Sequence, residues 1–190
     1  MGNIRFQQNY KLFCSLMYNT HTISLPDIES RLITVFGEID DKSDEIEFTY
    51  TDYYNEEMGS TLNKVIYSFA NLINPEKLPE IKIKTNSIEE EFCREGDQSR
   101  SFKRMVNLDP GYLTLSKIAL LTTKDYSHRI YLGRGIHCEV TLIYKNKSYT
   151  PLEWTYPDYR TLEFTTFFNR VREKYKSQLS DSSTPEHLNS

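Results

Sequence analysis

Hydrophobic residues recur along the chain in two periods. Lys11-Leu-Phe-Cys-Ser-Leu-Met17 is a short apolar run that predicts a buried strand. Ser24-Leu-Pro-Asp27 then supplies a capping serine, an early proline and a carboxylate three residues on. Ile28, Leu32, Val35 and Phe36 follow at helical spacing, and Gly37 stops the helix. From Glu45 to Tyr54 the period changes to two: Ile46, Phe48 and Tyr50 share one face, Glu47, Thr49 and Thr51 the other, as in a strand. Val65, Tyr67 and Phe69 alternate in the same way and predict a second strand over Leu62–Leu72. Pro75 to Phe92 reads as helix, with Leu78, Ile81, Thr85, Ile88 and Phe92 on one side and Pro79 in the first turns, where proline is tolerated. A strand over Lys103–Leu108 closes the series. Strand-helix-strand-strand-helix-strand is the order of a ferredoxin-like core, so the expected class is α+β.

Further elements extend that core. Asp109-Pro-Gly-Tyr112 places proline and glycine for a tight type II turn. Leu115, Ile118, Ala119 and Thr122 predict a short helix. Ile130–Leu132 and Ile136–Tyr144 flank Gly133-Arg-Gly135 as a β-hairpin, and the second strand carries His137, Glu139 and Thr141 opposite its apolar face. Thr161 starts a C-terminal helix with Phe164, Phe167, Phe168, Val171 and Tyr175 inward. Residues 1–9 read as a loose leader, 10–179 as one α+β domain with an exposed loop at Arg94–Ser101, and 180–190 as a disordered tail.

Composition narrows the function classes. At 190 residues with 13% aromatic side chains, the chain can bury a core without staples. Three cysteines without C-x-x-C spacing predict reduced thiols and a cytoplasmic location. No apolar run approaches the ~20 residues that cross a bilayer. A net charge of −4 argues against general nucleic-acid binding. Neither a phosphate loop nor a dinucleotide-binding glycine fingerprint is present.

Charge is unevenly placed. Residues 102–135 hold six basic and two acidic residues, +4 within a chain of −4. That island predicts a site for a small anionic ligand, phosphorylated and of the nucleotide class among others, with no membrane and no nucleic acid involved. Lys124, Arg129 and Arg134 are the expected anion ligands, Arg134 because Gly133-Arg-Gly135 can bring backbone N–H groups and a guanidinium to a phosphate. Asn107 and Lys117 belong to the same polar stretch, and Tyr112 offers a ring for stacking. Asp109 and His128 are candidates for acid–base work or for a metal, beside the alternative that they cap turns. Asp52 and Glu57, at the end of a strand, oppose the island as carboxylates. The sequence specifies no cofactor. A metal-assisted enzyme acting on a phosphoester or nucleotide is a second reading. A protein-interaction module using the rings of Trp154-Thr-Tyr-Pro-Asp-Tyr159 is a third.

Several segments carry a resemblance: Thr51-Asp-Tyr-Tyr…Glu57-Met-Gly59, Lys82…Thr85-Asn86…Glu90, Asn107-Leu-Asp-Pro-Gly-Tyr112, Thr123-Lys-Asp125…His128-Arg-Ile-Tyr-Leu-Gly-Arg-Gly-Ile136 and Trp154-Thr-Tyr-Pro-Asp-Tyr159. Over about residues 11–179 the chain resembles a small bacterial family of unknown function, stand-alone proteins of this size that sometimes carry the label "GTP-binding protein". The resemblance implies the same kind of protein and transfers no catalytic residue.

Overall fold

A computed structural model describes residues 2–3, 7–95 and 102–181. In chain order they form β1 (Tyr10–Asn19), α1 (Leu25–Phe36), β2 (Ile39–Lys42), β3 (Ile46–Glu47), the single-turn α2 (Asn55–Met58), β4 (Leu62–Ile73), α3 (Leu78–Glu91), β5 (Arg94–Glu95), β6 (Phe102–Lys103), β7 (Val106–Leu113), β8 (Lys117–Thr122), β9 (Ile130–Gly133), β10 (Ile136–Lys145), β11 (Ser148–Pro151) and α4 (Leu162–Asp181). The class is α+β. Most of the Arg94–Ser101 loop, residues 1 and 4–6 of the leader and residues 182–190 of the tail lie outside the described residues. Ser180 and Asp181, read from the sequence as tail, are the last residues of α4.

Among the described residues nine strands make one sheet, in the order β11-β10-β8-β7-β1-β4-β2, with β3 beside β4 and β9 beside β10. Every pairing is antiparallel. The sheet is covered on both sides, and β1 shows how. Leu12, Cys14, Leu16 and Tyr18 pack against Ile28 and Leu32 of α1 and Leu78, Ile81 and Ile88 of α3. Phe13, on the opposite face, packs with Phe164, Phe167, Phe168 and Val171 of α4. Alternation sends successive side chains into two different cores, which is why the sequence shows an unbroken apolar run here and no polar face. Each fully buried Phe or Leu contributes roughly 1.5–3 kcal/mol, an upper value because the unfolded chain is itself partly compact. Lys11 falls on the α4 face with no exposed area. It is held by Asp40 (2.5 Å) and Gln178 (3.0 Å).

Several expectations are corrected. The segment read as a helix, Leu115 to Thr122, instead holds the strand β8 from Lys117 on: Ile118 and Leu120 belong to the α4 core, Ala119 and Leu121 to the α1–α3 core. Four consecutive buried residues fit a strand covered on both faces as well as a short helix, so periodicity alone misleads. Asp109-Pro-Gly-Tyr112 is not a turn but the interior of β7, paired with Ser15, Cys14, Phe13 and Leu12 of β1. Pro110 is tolerated because the β7–β8 ladder runs only from Gly111↔Leu120 to Leu113↔Ile118, so its missing N–H removes no rung there. The strand expected over Glu45–Tyr54 is only Ile46–Glu47; Phe48 leaves the ladder for a small core with Met17, Met58 and Leu62. The strand expected at Lys103–Leu108 lies later, at Val106–Leu113. The hairpin and the C-terminal helix stand where the sequence placed them, α4 with the Thr161 hydroxyl accepting from Phe164 N at 3.4 Å.

Candidate functional site

The register of β7 and β8 positions the main cleft. The two strands pair at Gly111–Leu113 and part before Gly111 and after Leu120, so the sheet splits at that end. A cleft of about 520 Å³ lies there. Asn107 and Asp109 line it from β7, Leu121, Thr122 and Lys124 from β8 and the loop after it, and Glu139 from β10. Lys82, Asn86 and Glu89 reach it from α3. Tyr53, Tyr54 and Glu57 come from the segment around α2, and Tyr156, Asp158 and Tyr159 from the turn before α4.

Of the residues expected from the sequence, Lys124, Arg129, Asn107, Asp109 and Glu57 are thus brought together. The others are not. Arg134 is exposed in the hairpin turn, where its φ of 55° and the 78° of Gly135 give the two left-handed residues that a tight hairpin loop needs. Lys117 begins β8 and pairs with Ile143, at the strand end away from Thr122. Tyr112 is buried and stacked on Tyr10 at 4.4 Å. Asp52 is exposed and accepts from Asn55 Nδ2 at 2.8 Å. His128 stands behind the cleft, its Nε2 3.0 Å from Glu139 Oε2 and its ring stacked on Trp154. Trp154 itself donates to the Val140 carbonyl at 2.8 Å.

Two cations of the basic island, Arg104 and Arg129, and the two lysines that join them in the cleft, Lys64 and Lys82, are met by acids. Among the described lining residues five are Lys or Arg and six are Asp or Glu. Lys64 meets Asp158 at 2.5 Å with both side chains buried. Lys82 donates to the Leu108 carbonyl at 2.8 Å and reaches Asp109 Oδ1 at 3.4 Å. Arg104 spans Glu57 (2.9 Å) and Glu89 (3.4 Å) and donates to Asn107 Oδ1 at 3.0 Å. Arg129 donates from Nε to Glu139 Oε2 at 2.7 Å, and from its two terminal nitrogens to the Lys124 carbonyl (3.1 Å) and the Tyr156 hydroxyl (3.0 Å). Lys124 differs: its Nζ lies 5.2 Å from the centre of the Tyr53 ring, and no carboxylate meets it among the described residues.

Two carboxyls are displaced in opposite directions. Burial would raise Asp109, but Lys82, Lys64 and the Asn107 amide outweigh it and hold the group below the usual carboxylate range. Glu89 is raised, because its burial outweighs the pull of Lys82, the Leu108 N–H and Arg104. Burial likewise raises Tyr156. Among the described residues no three His, Cys, Asp or Glu side chains are arranged to hold a metal ion.

Lys64, Lys82, Arg104, Glu89 and Asp158 were not expected at the site from the sequence. Lys82, Asn86 and Glu89 at spacings of four and three on one helix were a usable signal, as one face of α3. Glu139 was placed on an open strand face, yet it is 2% exposed.

The molecule is therefore an α+β protein whose nine-stranded antiparallel sheet opens at one end into a tyrosine-walled cleft lined by charges of both signs. Its sequence matches the model of the family described as Domain of unknown function (DUF4416) over residues 8–175, and the chain belongs to that family. No curated protein and no solved structure matches it.

Proposed function

We propose that the cleft binds a small anionic ligand and that Lys124 is the cation that meets it. The observation that carries this reading is the isolation of Lys124: among the described residues every other cation of the lining has an acid, whereas Lys124 meets only the face of Tyr53. An ammonium over a ring gains about 0.5–1 kcal/mol at an exposed site, less than the roughly 1.5–3 kcal/mol of a charge-assisted hydrogen bond to an anion. Tyr53, Tyr54 and Tyr156 give the ligand flat faces to lie against. The reading moves the anion from the hairpin tip, where Arg134 stands, to the hairpin root.

Titration with inorganic phosphate and phenyl phosphate tests it, followed by calorimetry or ligand-observed NMR. Saturable binding is expected, weakened about tenfold in Lys124→Ala with the melting temperature unchanged. Absence of saturable binding, or equal binding by the variant, refutes the reading. A second reading, an acid–base enzyme, draws on the opposite displacement of Asp109 and Glu89 in one cleft, the pattern that separates a base from an acid. It predicts turnover that Asp109→Asn abolishes.

We also read β1-α1-β2-β4-α3-β7 as a ferredoxin-like half to which β8–β11 and α4 are added. The order β7-β1-β4-β2 with antiparallel neighbours supports this. A cytoplasmic setting agrees with free Cys14, Cys93 and Cys138.

A further inference from the structure

The cleft holds a second unanswered group besides Lys124. Glu139 lines it with 2% of its surface exposed. Its Oε2 serves both His128 Nε2 and Arg129 Nε, at 3.0 and 2.7 Å, while Oε1 is buried without any hydrogen-bond partner among the described residues. A buried carboxylate oxygen left unmatched is costly, and the group that answers it must be a donor. Arg129 links this carboxylate to the segment that carries the free cation: the same guanidinium that grips Glu139 also takes the backbone carbonyl of Lys124. The span a ligand must cover is set by how far the Lys124 side chain extends from that backbone toward Tyr53.

Charge then separates the classes of anion. The described lining carries one more carboxylate than it has cations, six against five. A polyphosphate would bring several negative charges to walls that are already slightly acidic, with one free ammonium to receive them, and like charges brought together cost energy. A molecule with one anionic group and one ammonium adds no net charge. Its ammonium meets an ionised acceptor, the stronger kind of hydrogen bond, between ring faces that favour a cation.

We propose that the ligand of this cleft is a small zwitterion, its anionic group on Lys124 and its ammonium on Glu139 Oε1. The proposal rests on the anion-binding reading above and adds the second pole.

The test uses the full chain and matched series of three to six carbons: ω-amino carboxylates, the corresponding ω-hydroxy carboxylates and the unsubstituted carboxylates, with tripolyphosphate and phenyl phosphate alongside. At the best chain length the amino compound is expected to bind about tenfold or more tighter than its two counterparts, and tripolyphosphate more weakly than phenyl phosphate. Glu139→Gln should remove the advantage of the amine, and Lys124→Ala should weaken every member. Because Glu139→Gln also alters the hold on Arg129 and His128, the comparison of ligands on the unaltered protein decides. Equal binding of amino, hydroxy and unsubstituted members at every length overturns the zwitterion. If phenyl phosphate still binds through Lys124 in that case, the anion site survives alone; if no anion binds, the underlying reading fails with it.

Discussion

At Gly111 an added Cβ would sit 2.3 Å from the tip of the Phe13 ring and 2.5 Å from the Ala119 carbonyl oxygen. Both neighbours are fixed, one in the aromatic core under α4 and the other in the β8 backbone. Gly111→Ala should therefore destabilise by about 1–3 kcal/mol or more, the usual cost of overpacking, read by urea denaturation. Lys64 and Asp158 make a second test at this scale. Both are buried, 2.5 Å apart, and Lys64 also lies 5.0 Å from the Tyr159 ring centre. Asp158→Asn leaves an uncompensated ammonium and should cost about 3–5 kcal/mol. Pairing it with Lys64→Met should recover much of that loss; a double variant that is simply the sum of the singles would refute the coupling. Such pairs explain which site residues could be read from sequence. Lys124, Arg129, Asn107 and Asp109 fall in one dense stretch and are visible as a cluster. Lys64 and Asp158 stand 94 positions apart, and neither looks unusual until the fold makes them neighbours.

The helices whose period was unambiguous are those that face one core and one solvent side. α1, with Ile28 and Leu32 buried, and α4, with its aromatic stripe, were legible for that reason. β7 and β8 were not. Both are central in the sheet and buried on two faces, so alternation between polar and apolar residues disappears. In β7 the turn-like letters Asp-Pro-Gly mark a place where the neighbouring strand departs, and that departure creates the cleft. The clearest element-level prediction concerns α4. Phe168 contacts Phe13 edge-on at 5.0 Å, stacks against Tyr159 at 6.0 Å and touches Phe167 at 5.2 Å. Phe168→Ala should cost about 3–5 kcal/mol and loosen the turn that carries Tyr156, Asp158 and Tyr159. Thermal denaturation measures the first effect, and a weakened phenyl phosphate titration the second.

For the molecule as a whole, the split in the sheet places titratable groups against the core, so the stability of the entire fold should follow their ionisation. Asp109 is held below its ordinary 3.8. The stability linked to it is present above that value and is lost as pH falls through the lower folded value. Glu89 is displaced upward from 4.5, chiefly by burial, and its sign is opposite. Folding favours its neutral form, so its contribution is full below 4.5 and fades as pH rises through the higher folded value. The two groups together predict a melting temperature that is highest between 3.8 and 4.5 and declines on both sides of that interval. Glu89→Gln keeps an acceptor for the Leu108 N–H, which now reaches Glu89 Oε1 at 2.6 Å, and removes the buried charge. It should therefore narrow the fall in melting temperature above 4.5 while leaving the fall below 3.8 in place. Asp109→Asn should do the reverse, narrowing the acid side alone. Melting curves of the three proteins across that range decide the matter, because a Glu89→Gln profile parallel to the unaltered protein would mean that the Glu89 carboxyl does not carry the neutral-side decline.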